Sequence, residues 1–403
     1  MTSSPAKSFL LSNARIVLTN QVVESGSVLI EEGRIARIFE SKSATVGAAM
    51  AQHDLAGATL LPGFIDVHIH GANGVDTMDA SAADLRRVSE YLARQGVTGW
   101  LPTLVPASTR QYANAVQAIQ SLMPETESES SGLSEGAIGA RVLGLHYEGP
   151  FVSDAQCGAL HREFFRTYSE PADVAVLPVP DNLAAVRMIT VAPEIAGGVD
   201  LVRELTASGW IISLGHTRAS IETLDQAFAA GARHFTHFMN AMPQLHHRAP
   251  GPVGWGLSRD DVTCDIIADG VHLDPLTLRL LLKVKTPGRL TLISDAIAAA
   301  GLGDGDYQIW GETISVAQGR TRNARGSIAG SVITMLDAVR LMLSLGVMET
   351  EVARMAATNP ARLLRIDQDC GSIEEGKRAD LVALDQDGNV RLTMIGGKGD
   401  AAV

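Results

Sequence analysis

The chain has 403 residues, 46 % hydrophobic and 19 % charged, with 33 Lys plus Arg against 45 Asp plus Glu and a formal net charge of −12. That acidic balance argues against nucleic acid or an anionic membrane as partner, since either wants a basic surface, and any anionic substrate must be held by a few local donors. The composition excludes a disordered chain and no apolar run approaches the ~18 residues of a membrane span. The opening stretch, MTSSPAKSFLLSNARIVLTN, lacks the sustained apolar core of a signal peptide. Cys157, Cys264 and Cys370 are odd in number and far apart, so no disulfide framework is expected. A soluble, cytoplasmic, enzyme-sized protein is the expectation. The length suits two to four average domains, or one large α/β barrel with an attachment.

In chain order, residues 8 to 60 read as short strands; Ser27–Ile30 and Arg34–Phe39 flank Gly33 as a hairpin. From residue 64 apolar runs of strand length recur at 64–70, 97–105, 142–148, 187–192, 210–216, 232–238, 264–269 and 290–295. Amphipathic stretches at 83–94, 110–122, 221–230 and 275–282 lie between them. Eight strands alternating with helices predict a closed parallel (β/α)8 barrel of the TIM type, with an open doubly wound sheet as the alternative. The acidic stretch 124–132 reads as a solvated surface loop, and the Gly-rich 301–327 as an excursion over the barrel mouth. After Pro360 strand-like text returns at 381–384 and 390–394. The simplest assembly pairs both chain ends into a small β-sandwich domain, giving 1–61 and 358–403 to that domain and 62–357 to the barrel. No internal repeat appears.

The eleven histidines are the most informative residues. His68 and His70 lie two apart on the first barrel strand, so a period of two puts both on one face, and Asp66 with them. An H-x-H alone is a weak signal. It gains weight because Glu148, His216, His237 and Asp295 fall at the ends of the third, fifth, sixth and eighth predicted strands, where barrel enzymes place their chemistry. Four imidazoles and a carboxylate make a mixed N/O set suited to Zn²⁺ or Fe²⁺ with a position left open for water. Asp295 is placed to take a proton from that water, which points to metal-assisted hydrolysis; its rival reading is a helix N-cap. His53 reads as a surface residue, and His146, sharing a face with Glu148, as support rather than ligand. His234, of opposite parity to His237, should point toward the helices. His246 and His247, beside Arg248, are either surface residues or substrate contacts.

These motifs make the sequence similar to the amidohydrolase superfamily and, within it, to the N-acetylglucosamine-6-phosphate deacetylases, over nearly the whole chain. Pro62-Gly-Phe-Ile-Asp-Val-His-Ile-His-Gly71 resembles the superfamily's first-strand motif. Leu145-His-Tyr-Glu-Gly-Pro-Phe151 resembles the deacetylases' H-x-E-G-P-[FW], and Val191-Ala-Pro-Glu194 their A-P-E. Gly215-His-Thr217, Thr236-His-Phe-Met-Asn-Ala-Met-Pro243, Ala268-Asp-Gly-Val-His272 and Ser294-Asp-Ala296 complete the set. The resemblance implies Glu148, His216 and His237 as core metal ligands and Asp295 as general acid/base. It implies Asn240 and Ala241 at the substrate phosphate, largely through backbone N–H groups, with Arg248 adding a bidentate charge, often across a subunit boundary, so a homodimer. His272 would contact the sugar or its amide, and Ala159, Ile328, Ala329 and Gly330 would line the sugar site. Function is then release of acetate from an N-acetylated amino sugar phosphate, with the galacto epimer as the alternative substrate.

Two features vary from the family pattern. Some members replace the H-x-H histidines and use one metal; with both present here, a two-metal site bridged by Glu148 is open alongside a single one. The family's K-G-[AT]-H reads Cys157-Gly-Ala-Leu-His161, so the imidazole comes one residue late and Cys stands for Lys. A cyclic amidase with a carboxylated Lys on strand four is disfavoured, because the six lysines, at 7, 42, 283, 285, 377 and 398, all lie elsewhere. A metal-free scaffold on the same barrel is disfavoured by the intact ligand set.

Overall fold

Residues 8–41, 50–123 and 138–401 are described by a computed structural model; the acidic stretch at 124–132 lies outside them. Eight parallel strands follow one another around a barrel: Phe64–Ile69, Val97–Leu104, Gly144–Glu148, Val186–Val191, Ile211–Leu214, His234–Phe235, Thr263–Ile267 and Leu290–Ile293. Each pairs with its sequence neighbour, so the order never reverses as it would in a doubly wound sheet. The eighth strand meets the first through loop backbone: Asp295 N–H donates to His68 O (2.9 Å) and His70 N–H to Ala296 O (2.8 Å).

Helices form where the apolar residues recur with a helical period and a capping side chain precedes them. Ser81 caps Ala82–Arg94 and Ser108 caps Thr109–Gln120, each reciprocated by the residue three on, Asp84 and Gln111. Their buried faces, Leu85, Val88 and Leu92 on one and Tyr112, Val116 and Ile119 on the other, share one core with the outward side chains of the strands. Inside the barrel the lower layer is Ile65, Val67, Leu101, Met188, Ile211, Ile267 and Ile293. It is stoppered by Ala361, within the last helix Asn359–Leu363, and by Leu364 and Cys370 just after it. The upper part of the interior is polar.

The chain ends build one continuous eight-stranded sheet in which Thr59–Pro62 pairs with Leu381–Leu384, so both termini contribute. Its own core comprises Leu11, Val28, Ile30, Ile35, Leu60, Leu381 and Met394. The hairpin between Val22–Glu31 and Arg34–Phe39 turns at Glu32 and Gly33, both left-handed (φ 51° and 77°), the backbone that a two-residue hairpin turn demands. An Arg15–Glu349 ion pair ties this sheet to the barrel. The excursion at 301–327 is a three-stranded antiparallel sheet, Gly305–Ile309, Glu312–Ala317 and Arg320–Asn323.

Candidate active site

The C-terminal ends of five strands converge on one buried cluster. His68 lies in the first strand and His70 one residue past its end, Glu148 ends the third, and His216, His237 and Asp295 each stand two residues past the fifth, sixth and eighth. None of the six is more than 6 % exposed. His216, His237 and Asp295 have left-handed backbone (φ 46°, 30° and 50°), a strained choice for residues with a Cβ, and the chain turns at each of them. Glu148 Oε1 lies 2.8 Å from His216 Nε2 and 2.9 Å from His237 Nε2, and its Oε2 lies 3.3 Å from His70 Nε2. Asp295 Oδ1 is 3.3 Å from Nε2 of both His68 and His70.

This donor set fits a divalent cation. The Nε2 atoms of His68 and His70 are 3.1 Å apart, as are those of His216 and His237. Two nitrogens bound to one tetrahedral zinc would sit ~3.3 Å apart, given ~2.05 Å bonds. The ligand atoms form two triads, His68–His70–Glu148 and Glu148–His216–His237, sharing Glu148. His216 Nδ1 donates to the Gln156 carbonyl at 2.7 Å, leaving the Nε2 lone pair turned into the cluster. Burial opposes charge on Glu148, yet His216, His237 and His70 outweigh it and hold the carboxyl well below its usual range. Asp295 is likewise held low against its burial by His68 and His70. Burial would lower His70, but Asp295 and Glu148 carry it up to about 10. Two carboxylates held ionised beside four imidazoles make this cluster a site for concentrated positive charge.

Two parity expectations fail. Asp66 does not join the ligand face: Val67 and His68 together oppose Leu101 on the second strand, a bulge that changes the alternation between Asp66 and His68. Its carboxylate instead accepts from Ser294 Oγ at 2.5 Å and Ser294 N at 3.3 Å, and burial pushes its pKa up to about 7. His234 does not face the helices. It lies inside the barrel, its Nε2 2.8 Å from Asp265 Oδ1, because the sixth strand is only two residues long and His237 is brought inward by the turn that follows.

His146 is no ligand, as expected, but anchors a polar layer beneath the cluster. Its Nδ1–H donates to Val67 O (3.0 Å), so its Nε2 accepts from Thr190 Oγ1 (2.9 Å); Thr236 and Ser213 extend the chain. Burial first and the charge of His68 second hold His146 well below its normal pKa, hence neutral. Glu194, of the A-P-E segment, accepts from Thr217 Oγ1 (2.6 Å) and Arg218 N–H (2.7 Å), clamping the turn that carries His216.

On the mouth side, φ is positive at His237, Met239 and Ala241, so alternate residues are left-handed and the backbone forms the kind of N–H concavity that holds anions. Asn240 N–H is already given to His237 O (2.9 Å), while its Nδ2 is buried without a partner among the described residues. Arg248 lies in a fully exposed run, 244–250, with His246 and His247, and forms no ion pair among the described residues. His272 is held by Asp269: Nδ1 to Oδ2 is 2.7 Å, and Asp269 Oδ1 accepts the His272 backbone N–H at 2.8 Å. Ala159 and Ala329 pack together with Ile297 and the inner face of the three-stranded sheet, while Ile328 is 41 % exposed. Gly330 (φ 59°) sits where a Cβ would come within 2.9 Å of Asp295 O. His161 pairs with Glu163 at 3.2 Å, and Cys157 is buried nearby. Sequence reasoning gives Glu194 and Asp269 no role, although they lie in the A-P-E and A-D-G-V-H segments. For Asp269 the signal was the three-residue spacing to His272.

Comparison with known proteins agrees with this geometry. Residues 59–399 match the amidohydrolase family. The chain is 37 % identical over 396 residues to the N-acetylglucosamine-6-phosphate deacetylase of Bacillus subtilis, covering 97 % of each. It is also 37 % identical over 345 residues to the N-acetylgalactosamine-6-phosphate deacetylase of Escherichia coli O157:H7, covering 84 % of this chain and 87 % of that one. The crystal structure of N-acetylglucosamine-6-phosphate deacetylase from Pasteurella multocida superposes with a TM-score of 0.88 at 30 % identity, over 98 % of this chain and 100 % of that one. The chain belongs to the amidohydrolase family, on its hexosamine-6-phosphate deacetylase branch.

Proposed function

We propose that the chain hydrolyses N-acetyl-D-glucosamine 6-phosphate to D-glucosamine 6-phosphate and acetate, using one or two divalent cations, zinc or iron, held by Glu148, His216 and His237 and by His68 and His70. The observation that carries this is the convergence of those five groups with Asp295 at one barrel rim. The cation, when bound, polarises the amide carbonyl and acidifies water. Asp295, kept ionised by its imidazole neighbours, accepts a proton at its carboxylate from the attacking water and returns it to the departing amine nitrogen. His272, its Nδ1 occupied by Asp269, has Nε2 for the sugar or its amide.

The phosphate is assigned to the 237–241 turn, through the Ala241 N–H and the Asn240 Nδ2, with Arg248 as the planar fork. Arg248 stands on an exposed loop, which suits an arm reaching a neighbouring subunit, and we assign a homodimer on that ground. The apolar row Leu276, Leu280 and Val284, 74, 50 and 43 % exposed on one helix, offers a second copy something to cover. We place the enzyme in the cytoplasm, in amino sugar catabolism and cell-wall sugar recycling; no helix among the described residues is long and apolar enough to cross a membrane.

The galacto epimer is the second reading, favoured by the 37 % identity to the Escherichia coli relative. Acetate release from both 6-phosphorylated epimers and from unphosphorylated N-acetylglucosamine tests the assignment. The gluco phosphate should give the highest kcat/KM, and equal rates with and without phosphate would contradict it.

A further inference from the structure

We infer that Trp310, at the tip of the hairpin that crosses the barrel mouth, is a positioning residue for His70 and walls the cation subsite formed by His68, His70 and Glu148; this rests on the two-cation reading of the site. Gly305–Ile309 and Glu312–Ala317 pair down to Ile309 opposite Glu312, so Trp310 and Gly311 are the two turn residues. Both are left-handed, φ 53° and 76°. That turn favours Asn-Gly or Gly-Gly, and an indole at its first position is strained. What the strained residue does with its ring is specific. The indole meets His70 edge-on, centroids 5.3 Å apart at 85°. It packs against both the barrel core and the hairpin's own core.

His70 needs such a neighbour. A metal-binding imidazole is normally fixed by a hydrogen bond from its other nitrogen. His216 has one, to Gln156 O, whereas the buried Nδ1 atoms of His68, His70 and His237 have no partner among the described residues. Ring packing therefore has to do what a hydrogen bond does elsewhere: the His68 ring lies on one contact (5.0 Å, 78°) and Trp310 on another. The His68 ring is also braced by His146, from the third barrel strand (4.7 Å, 84°), and Glu148 lies within that strand; His70, one residue past the first strand, is braced by a residue from the inserted hairpin.

Trp310→Gly removes the indole while giving the turn its least strained residue, so folding should be retained; Trp310→Phe keeps a ring. Metal-free protein is titrated with Zn²⁺ against a chromophoric chelator, and Trp emission is followed on adding Co²⁺. Wild type should take two equivalents. Trp310→Gly should bind the second ~10-fold more weakly with the first unchanged, the size expected for loss of a group that orients a ligand. Trp310→Phe should recover most of that loss and should lack part of the Co²⁺ quenching seen in wild type. Two equivalents with wild-type affinities in Trp310→Gly would overturn the role of Trp310 alone. A single equivalent in wild type would overturn the two-cation reading and this inference with it.

Discussion

Glu194 forms no hydrogen bond or ion pair with the proposed cation ligands, yet its removal should be felt there. Its carboxylate accepts two hydrogen bonds, from Thr217 Oγ1 at 2.6 Å and Arg218 N–H at 2.7 Å, and Thr217 Oγ1 in turn takes the Ala219 N–H at 3.1 Å. These pin the residues that follow His216, whose left-handed backbone (φ 46°) must be imposed by its surroundings. Hydrogen bonds to a charged acceptor contribute ~1.5–3 kcal/mol each. Arg218 is exposed, so its N–H regains water, and Glu194→Ala should lose about 2–3 kcal/mol rather than the full pair. At ~1.4 kcal/mol per decade that caps the effect on cation affinity near 30- to 150-fold. Losses of ~10- to 100-fold are typical when a group supporting a ligand is removed. Glu194→Gln keeps one acceptor and turns its amide toward the other donor, so it should retain roughly half of the stabilisation, by the same per-bond figures. Chelator competition on the purified variants reads the affinity, and a thermal melt of the metal-free protein reads the fold. Wild-type affinity in a folded Glu194→Ala protein would refute the clamp.

Asp295→Asn should keep cation content and KM but lower turnover by ~10² or more, since general acid–base help is worth that much; near-normal turnover in a loaded variant would remove Asp295 from the mechanism. His237→Ala or His216→Ala should lose cation and activity together, read by metal analysis beside acetate release. Arg248→Ala should raise KM for the phosphorylated sugar by ~10- to 100-fold, as one or two charged hydrogen bonds imply, with little change on the unphosphorylated sugar. Burial opposes the charge of Asp269, but His272 and the backbone N–H groups of Val271 and His272 hold its pKa below normal. Its contribution to stability is then present above the unfolded pKa near 4 and lost as pH falls through the lower folded value. The melting temperature gap between wild type and Asp269→Asn should accordingly shrink below about pH 4, and a constant gap would deny Asp269 its charge-dependent role.

Strand ends were legible because apolar runs break where polar ligands begin: Glu148, His216, His237 and Asp295 all fell at such breaks, and the structure brings them together. Side-chain direction was less legible. Counting by twos works for Glu148 and His146, but it fails at Asp66, where a bulge adds a residue, and at His234, where the strand lasts two residues before left-handed turns begin. Those departures arise from pairing with neighbouring strands, which a local pattern does not encode. Glu194, Asp269 and Trp310 draw their roles from contacts made across loops, and only Asp269 sits close enough in sequence to its partner to betray itself. The stopper at Ala361, Leu364 and Cys370 belongs to the same class. Its residues form a short helix and the turn after it, where the sequence offered no element, and nothing local shows that they close the barrel floor.

One cluster carries out a cation-dependent amide hydrolysis on a phosphorylated amino sugar in the function proposed above. Acetate release from N-acetylglucosamine 6-phosphate, measured on metal-free protein and again after stoichiometric addition of Zn²⁺ or Fe²⁺, tests it most directly. Release should be negligible from the metal-free enzyme, and activity should rise with cation and saturate at one or two equivalents per subunit. Full activity in protein shown to hold no metal, or none after loading, would contradict it.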